Sequence, residues 1–330
     1  MGVRVLQIQV PSDFRLDLTA WTLRRRAHNA IDTFEQGVWR RSLRVGDVLV
    51  HLTARQHPTR KKDSLEVSVE GDPVTDAVPG AGAVTDLLTA VLGLGVEMAG
   101  FYALGEGDPQ LQAISRRFVG VRPPKFPTVF EAIINAVACQ QLSLSVGIHL
   151  LNRLSARFGS VPVGVRGASR AFPEPQELAG AEVAELRGLG FSRTKAATAI
   201  GIAERFAAGD LQARALGELS DSDAKAVLVA IPGIGRWSAE YTLLRGLGRL
   251  AILPGDDVGA RNSLRRRFSL TQDARYEHLS ALSRRWSPYG GIVYFHLLLD
   301  ALAEAGLVVP TSGAPHGRGT VGKTDQTELL

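Results

Sequence analysis

Two short stretches of this chain combine residue types and spacings that can do chemistry. In "IPGIGRW", Ile231 to Trp237, one proline and two glycines interrupt what otherwise reads as helix. Ser220, with Asp223 three residues on, has the layout of a helix N-cap opening "DAKAVLVA". Pro232 ends that helix, Gly233 and Gly235 give a tight reversal, and Arg236 opens a second helix, "RWSAEYTLLRGLG". With no side chains at the glycines, a phosphate oxygen can reach backbone N–H groups at the tip and the positive end of the second helix. An αα-corner that needs glycine only for its shape would look the same. Trp237 and Tyr241 are four apart and share a helix face. They form either an electron-rich wall for a cationic ring, worth ~0.5–2 kcal/mol, or ordinary core. Asp257, in "LPGDDVGARNSLRRRF", stands just before a third helix, which taken alone is the usual place of an N-cap.

The elements that must position these residues fall into two parts. Residues 1–112 read as an α+β domain. Strands are expected at 3–10, 37–45, 47–54 and 64–71, the middle pair joined by a Gly-Asp turn, and helices at 18–32 and 83–94. The proline-rich joint "VRPPKFP", 121–127, precedes a run of helices punctuated by Gly and Pro. The second domain is therefore mainly α-helical, over 113–310, in two lobes with a cleft between. Within it "LRGLG" occurs at 186–190 and 244–248, each read as a helix end with a glycine cap. Residues 311–330 are small, polar and aperiodic, and are expected to be a disordered tail.

Composition narrows the classes. The 330 residues suit about two domains, and 45% hydrophobic with 22% charged residues is ordinary for a globular protein. Cys139 is the only cysteine, which excludes intrachain disulfides, thiolate zinc sites and iron–sulfur clusters, and the seven histidines form no ligand pair. The sequence has no long apolar run and its first residues do not read as a secretory leader, so a cytoplasmic location is expected, nucleoid-associated if the source is bacterial. The net charge of +5 is mild, but basic residues cluster at 24–26, 40–44, 60–62 and 265–267. Such runs are either solvated faces or nucleic-acid contacts.

"LVAIPGIGRWSAEYTLLRGLG" resembles the helix-hairpin-helix of the base-excision DNA glycosylase superfamily, and the resemblance continues into "LAILPGDDVGARNSLRRRF". "FEAIINAVACQQLSLSVG" is similar to that superfamily's helix with a Gln-Gln pair, and "RRWSPYGGIVYFHLLL" to a helix of its AlkA-like subgroup, the DNA-3-methyladenine glycosylases II. Together these span about residues 120 to 305, in the family's order. The resemblance implies a glycosylase acting on alkylated purines in double-stranded DNA, as a monomer and away from membranes. Asp257, leading Asp-Val-Gly-Ala-Arg, would be the catalytic carboxylate, with Asp256 its near rival. The anion would stabilise positive charge on the sugar and help deprotonate the attacking water. Trp237 stands where strand-cutting members carry lysine, so a monofunctional enzyme leaving an abasic site is implied. Trp237 and Tyr241 would line the base pocket. Gly233, Ile234, Gly235, Arg236 and Arg261 would contact the backbone. Gln141 or Leu142 would fill the gap left by the flipped base, with Gln140 as helper. No cofactor is required, although the family implies a Na+ or K+ on the carbonyls of Val229, Ile231 and Ile234. His296 is followed by Leu297 and Leu298, where the subgroup can carry an aromatic, and reads as a core residue. A glycosylase for oxidised bases and a non-catalytic hairpin DNA-binding protein are the alternatives.

Overall fold

A computed structural model describes residues 3–57, 63–71, 79–268 and 276–311. The basic run at 60–62 and all but the first residue of the expected tail lie outside these. Alternating apolar residues in the first part form five strands: β1 (Val3–Gln9), β2 (Thr33–Glu35), β3 (Val38–Val45), β4 (Val48–Gln56) and β5 (Ser64–Glu70). They make one antiparallel sheet in the order β1-β5-β4-β3-β2. Gly46 adopts φ +59° in the Gly-Asp turn and sets Val45 opposite Val48. That register places Val50, Leu52 and Ala54 of β4 with Leu65, Val67 and Val69 of β5 in one buried layer. Helices α1 (Leu16–Arg24) and α2 (Ala81–Val91) cover it with Leu16, Ala20, Leu23, Val84 and Leu88. Burial of each such Val or Leu contributes ~1.5–3 kcal/mol.

The first helix stops eight residues short of the expected 32. Arg25 takes φ +59°, and its guanidinium is bound by groups of the helical domain, so tertiary contacts override local periodicity here. Strand β2 and the next two helices, α3 (Ala99–Glu106) and α4 (Pro109–Arg117), were not expected from the sequence. Residue 112 lies inside α4, whose Asp108 caps the N–H groups of Gln110 and Leu111.

The remaining helices are α5 (Val129–Cys139), α6 (Leu144–Phe158), α7 (Pro175–Ala179), α8 (Val183–Gly188), α9 (Arg193–Ala208), α10 (Ala213–Glu218), α11 (Asp221–Val229), α12 (Arg236–Arg245), α13 (Val258–Phe268), α14 (Tyr276–Arg284) and α15 (Gly290–Glu304). They pack around two cores. One gathers Ile133, Ile134, Leu151, Ile202, Leu228 and Leu243 from α5, α6, α9, α11 and α12. The other gathers Phe101, Leu111, Leu264, Trp286 and Phe295. Helix α12 serves both, since Leu243 belongs to the first and Leu244 to the second. Helix α5 is buried along its whole length as far as Ala138, as an apolar helix on all sides must be.

The sheet is joined to α5 by charge. Arg41 of β3 donates to Asp32 at 2.7 Å and to Glu131 of α5 at 2.5 Å, and all three are nearly inaccessible to solvent. Arg24 and Arg25 are likewise buried, whereas Arg26 and Arg40 are half-buried and Arg44 is exposed, so only part of the runs at 24–26 and 40–44 faces solvent. No helix among the described residues is long and apolar enough to cross a membrane.

Candidate active site

Helices α11 and α12 enclose the turn that the proline and glycines predict. Ser220 caps α11 by accepting from the Asp223 N–H at 3.2 Å, as its layout implies. Gly233 has φ +87°, and a Cβ there would lie 2.1 Å from Thr198 Oγ1 of α9, so this position requires glycine. Gly235 is the extended N-cap of α12, has open space around it and places no side chain over the helix's first N–H groups. The Ile234 N–H is not bare: it donates to Ile231 O at 3.0 Å, and the Ile234 side chain is buried in the core. The expected cation-binding carbonyls therefore include one, that of Ile231, with a lone pair already engaged; Val229 is the last residue of α11. Arg236 is not a free cation either. It pairs with Asp256 at 2.7 Å and lies over the Tyr276 ring, 3.5 Å from its centroid.

Asp257 is the helix cap of its first sequence reading, and it keeps its second oxygen for other partners. Its Oδ1 accepts from the Ala260 N–H at 2.8 Å, the bond of a helix N-cap at the start of α13. Its Oδ2 points the other way, accepting from Trp237 Nε1 at 3.2 Å and from the Tyr294 hydroxyl at 3.3 Å. Burial pushes its carboxyl above the ordinary value, opposed by the Ala260 N–H and the indole and phenol donors. Asp256, one residue earlier, is spent on Arg236.

Trp237 and Tyr241 meet with ring centroids 5.3 Å apart and planes inclined by 32°. Phe126 backs Tyr241 at 6.3 Å. Together with Ala132 and Ala136 they form a small apolar cluster apart from the two main cores. Arg25 reaches into this wall from the N-terminal domain, donating to the Tyr241 hydroxyl at 2.9 Å and to Asn135 Oδ1 at 2.6 Å. Burial and the nearby Arg25 cation act in opposite directions on Tyr241; burial prevails and keeps the phenol protonated above its usual value.

On the α5 side, Gln140 ties the end of α5 to the hairpin. Its Nε2 donates to Gly233 O at 2.9 Å and to Ser238 Oγ at 2.7 Å. Gln141 adopts φ +51°, rare for a residue with a side chain, and both it and Leu142, 43% exposed, stand out to solvent. Arg261 lies on α13, half-buried, with Nε unpaired among the described residues. Farther along α13, Arg266 pairs with Glu304 and Arg267 with Asp300, so these two of the 265–267 run are held by α15. His296 is fully buried; its Nδ1 lies 2.9 Å from Ile292 O, and burial lowers its pKa to about 4. It is a neutral core residue, as expected.

Residues 134–288 match the HhH-GPD superfamily of base excision DNA repair proteins. Over this region, just under half of its length, the chain is similar to AlkA-like enzymes of that superfamily. A Bacillus subtilis (strain 168) DNA-3-methyladenine glycosylase is 28% identical over 201 residues, covering 61% of this chain and 66% of that one. The Escherichia coli (strain K12) DNA-3-methyladenine glycosylase 2 is 25% identical over 279 residues, or 83% and 90% of the two chains. The solved 3-methyladenine DNA-glycosylase from Archaeoglobus fulgidus superposes with a TM-score of 0.79 at 26% identity, over 92% of this chain and 100% of that one. Two Bacillus subtilis relatives are spanned over only 55% and 66% of their lengths.

Three residues in contact with this candidate site were missed in the sequence. Tyr294 sits two positions before His296 on α15, inside a segment that resembles the family but whose spacing does not mark the tyrosine. Arg25 and Tyr276 carry no local signal, because each is brought in from a distant element.

Proposed function

We propose that this AlkA-like chain is a monofunctional DNA glycosylase that releases alkylated purines of the 3-methyladenine and 7-methylguanine type from double-stranded DNA. The observation that carries this reading is the orientation of Asp257. One oxygen is consumed as a helix cap, and the other faces the Trp237–Tyr241 wall from between an indole N–H and a phenol O–H. A carboxylate fixed in this way needs no reorganisation when positive charge grows on the sugar, and partial exclusion of water strengthens the attraction. The base departs with the bonding electron pair, water adds to the sugar carbon, and the water's proton passes to Asp257 or to solvent. A base alkylated at a ring nitrogen is already cationic, so departure requires no general acid, and the aromatic wall can stack on that cation. Trp237 supplies no amine, so the sugar forms no Schiff base at this position. Gly233, Gly235 and the start of α12 would hold a backbone phosphate, with Asp256 yielding Arg236 to it. Val229, Ile231 and Ile234 would offer carbonyl oxygens to a monovalent cation. On this reading the protein works as a monomer in the cytoplasm, on the nucleoid in a bacterium.

The test is base release from methylated duplex DNA by the wild type and by Asp257→Asn, with strand breaks scored before and after alkali. Wild type should release 3-methyladenine and 7-methylguanine and produce breaks only after alkali. The variant should bind DNA normally and release base at least ~100-fold more slowly. Binding without release from any methylated duplex would make this a hairpin-bearing DNA-binding protein, with Asp257 only a cap. Breaks before alkali would remove the monofunctional assignment.

A further inference from the structure

The exposed loop at 140–142 and the turn at 232–235 come from distant parts of the chain, yet one face of one helix holds both. Lys195, in the first turn of α9, donates from Nζ to Ala138 O at 3.1 Å and to Gln140 O at 2.5 Å. These carbonyls lie at the end of α5, where the helix leaves acceptors unpaired and a cation is favoured. Three residues on, and so on the same face, Thr198 Oγ1 donates to Pro232 O at 3.3 Å. The contact is close because Gly233 has no Cβ. Gln140 completes the circuit through Gly233 O and Ser238 Oγ. Helix, loop and turn thus form a closed ring of polar contacts. Opening any one link leaves the loop free to pivot about the others. Just beyond the Lys195 anchor, Gln141 is held in its left-handed conformation and Leu142 projects into solvent.

We propose that Lys195 and Thr198 are positioning residues that lock the Gln141–Leu142 wedge to the hairpin, so that phosphate grip and base displacement occur in one fixed geometry. The inference rests on the glycosylase reading above. Lys195 acts through the loop and not on DNA: two of its three protons are committed to the two carbonyls, and the amine is half-buried, which lowers its pKa. A displacement of about 1 Å in such a constellation is enough to cost up to ~100-fold in rate.

The experiment compares wild type, Lys195→Met, Thr198→Val and the double variant on a duplex carrying one 7-methylguanine beside a 2-aminopurine. Single-turnover base release is measured together with the 2-aminopurine fluorescence that reports unstacking, affinity for undamaged duplex as a function of salt, and melting temperature. Each single variant should melt and bind undamaged DNA like wild type, yet release base at least tenfold more slowly with a smaller fluorescence rise. The double variant should be no worse than the poorer single one, because one broken link already opens the ring. Unchanged release and fluorescence in both single variants would overturn the proposal. So would weaker binding of Lys195→Met to undamaged duplex with a shallower salt slope, since Lys195 would then be a phosphate contact. Thr198→Val keeps the question answerable if Lys195→Met folds poorly. If wild type itself releases nothing, it is the glycosylase reading that fails, and the variants are not what reveals it.

Discussion

Asp257 divides its two oxygens between a helix cap and the aromatic wall, and the proposed chemistry uses the second. The cap bond to Ala260 fixes the carboxyl at the head of α13, while the burial that accompanies it raises the pKa. On the proposed mechanism the anion is the active form, so base release should fall as pH drops, with its acid limb above the ordinary carboxylate value of ~3.9. A pH–rate profile under single-turnover conditions measures this. The same shift has a consequence for stability. A carboxyl whose folded pKa is raised costs stability once pH exceeds that value, and the cost disappears as pH falls back through it. Asn can accept the same cap bond without the charge. Asp257→Asn should therefore be as stable as wild type or more so at neutral pH, and the two should converge in acid. Urea unfolding at several pH values tests this, and a clearly less stable variant at neutral pH would contradict it.

At the scale of elements, the helix-hairpin-helix uses its two glycines for different reasons. Gly233 is needed for conformation and space, at φ +87° and against Thr198; Gly235 has neither constraint. Gly233→Ala should cost ~1–3 kcal/mol in chemical denaturation and weaken binding to undamaged duplex. Gly235→Ala should change stability by no more than about 0.5 kcal/mol and still weaken binding, because a methyl group then shields the N–H groups a phosphate would approach. Equal losses of stability in the two variants would show that the turn is only a structural corner. The hairpin was legible because Pro and Gly act on their own backbone. Helix α1 was overextended because Arg25 leaves the helix only when Tyr241 and Asn135 are there to receive it.

On the scale of the whole molecule, the N-terminal sheet is built into the helical domain. Arg41 bridges Asp32 to Glu131 within the interior, Arg25 braces the aromatic wall, and Arg245 of α12 donates to Thr22 O of α1 at 2.9 Å. Arg41→Met would leave two buried carboxylates without their cation, at a cost of about 3–5 kcal/mol. Because Glu131 lies on α5, the loss should appear in a single unfolding transition of the whole chain, measured by urea with two spectroscopic probes. Separate transitions would instead describe an appended, independent domain.

The sequence by itself determined what depends on near neighbours along the chain: the sheet-then-helices order, the hairpin, the cap at Ser220, the Trp237–Tyr241 spacing and the position of Asp257 before a helix. Only the tertiary structure decided which way the second oxygen of Asp257 faces, that Asp256 belongs to Arg236, and that Tyr294 and Arg25 complete the site. It also drew Arg24, Arg25 and Arg41 of the basic runs at 24–26 and 40–44 into the interior, while Arg44 stays exposed. The physical reason is the same throughout. Backbone conformation and periodicity are local and leave a trace in neighbouring residues, whereas the partner of a long charged or aromatic side chain is chosen by whatever the fold brings within a few ångströms of it.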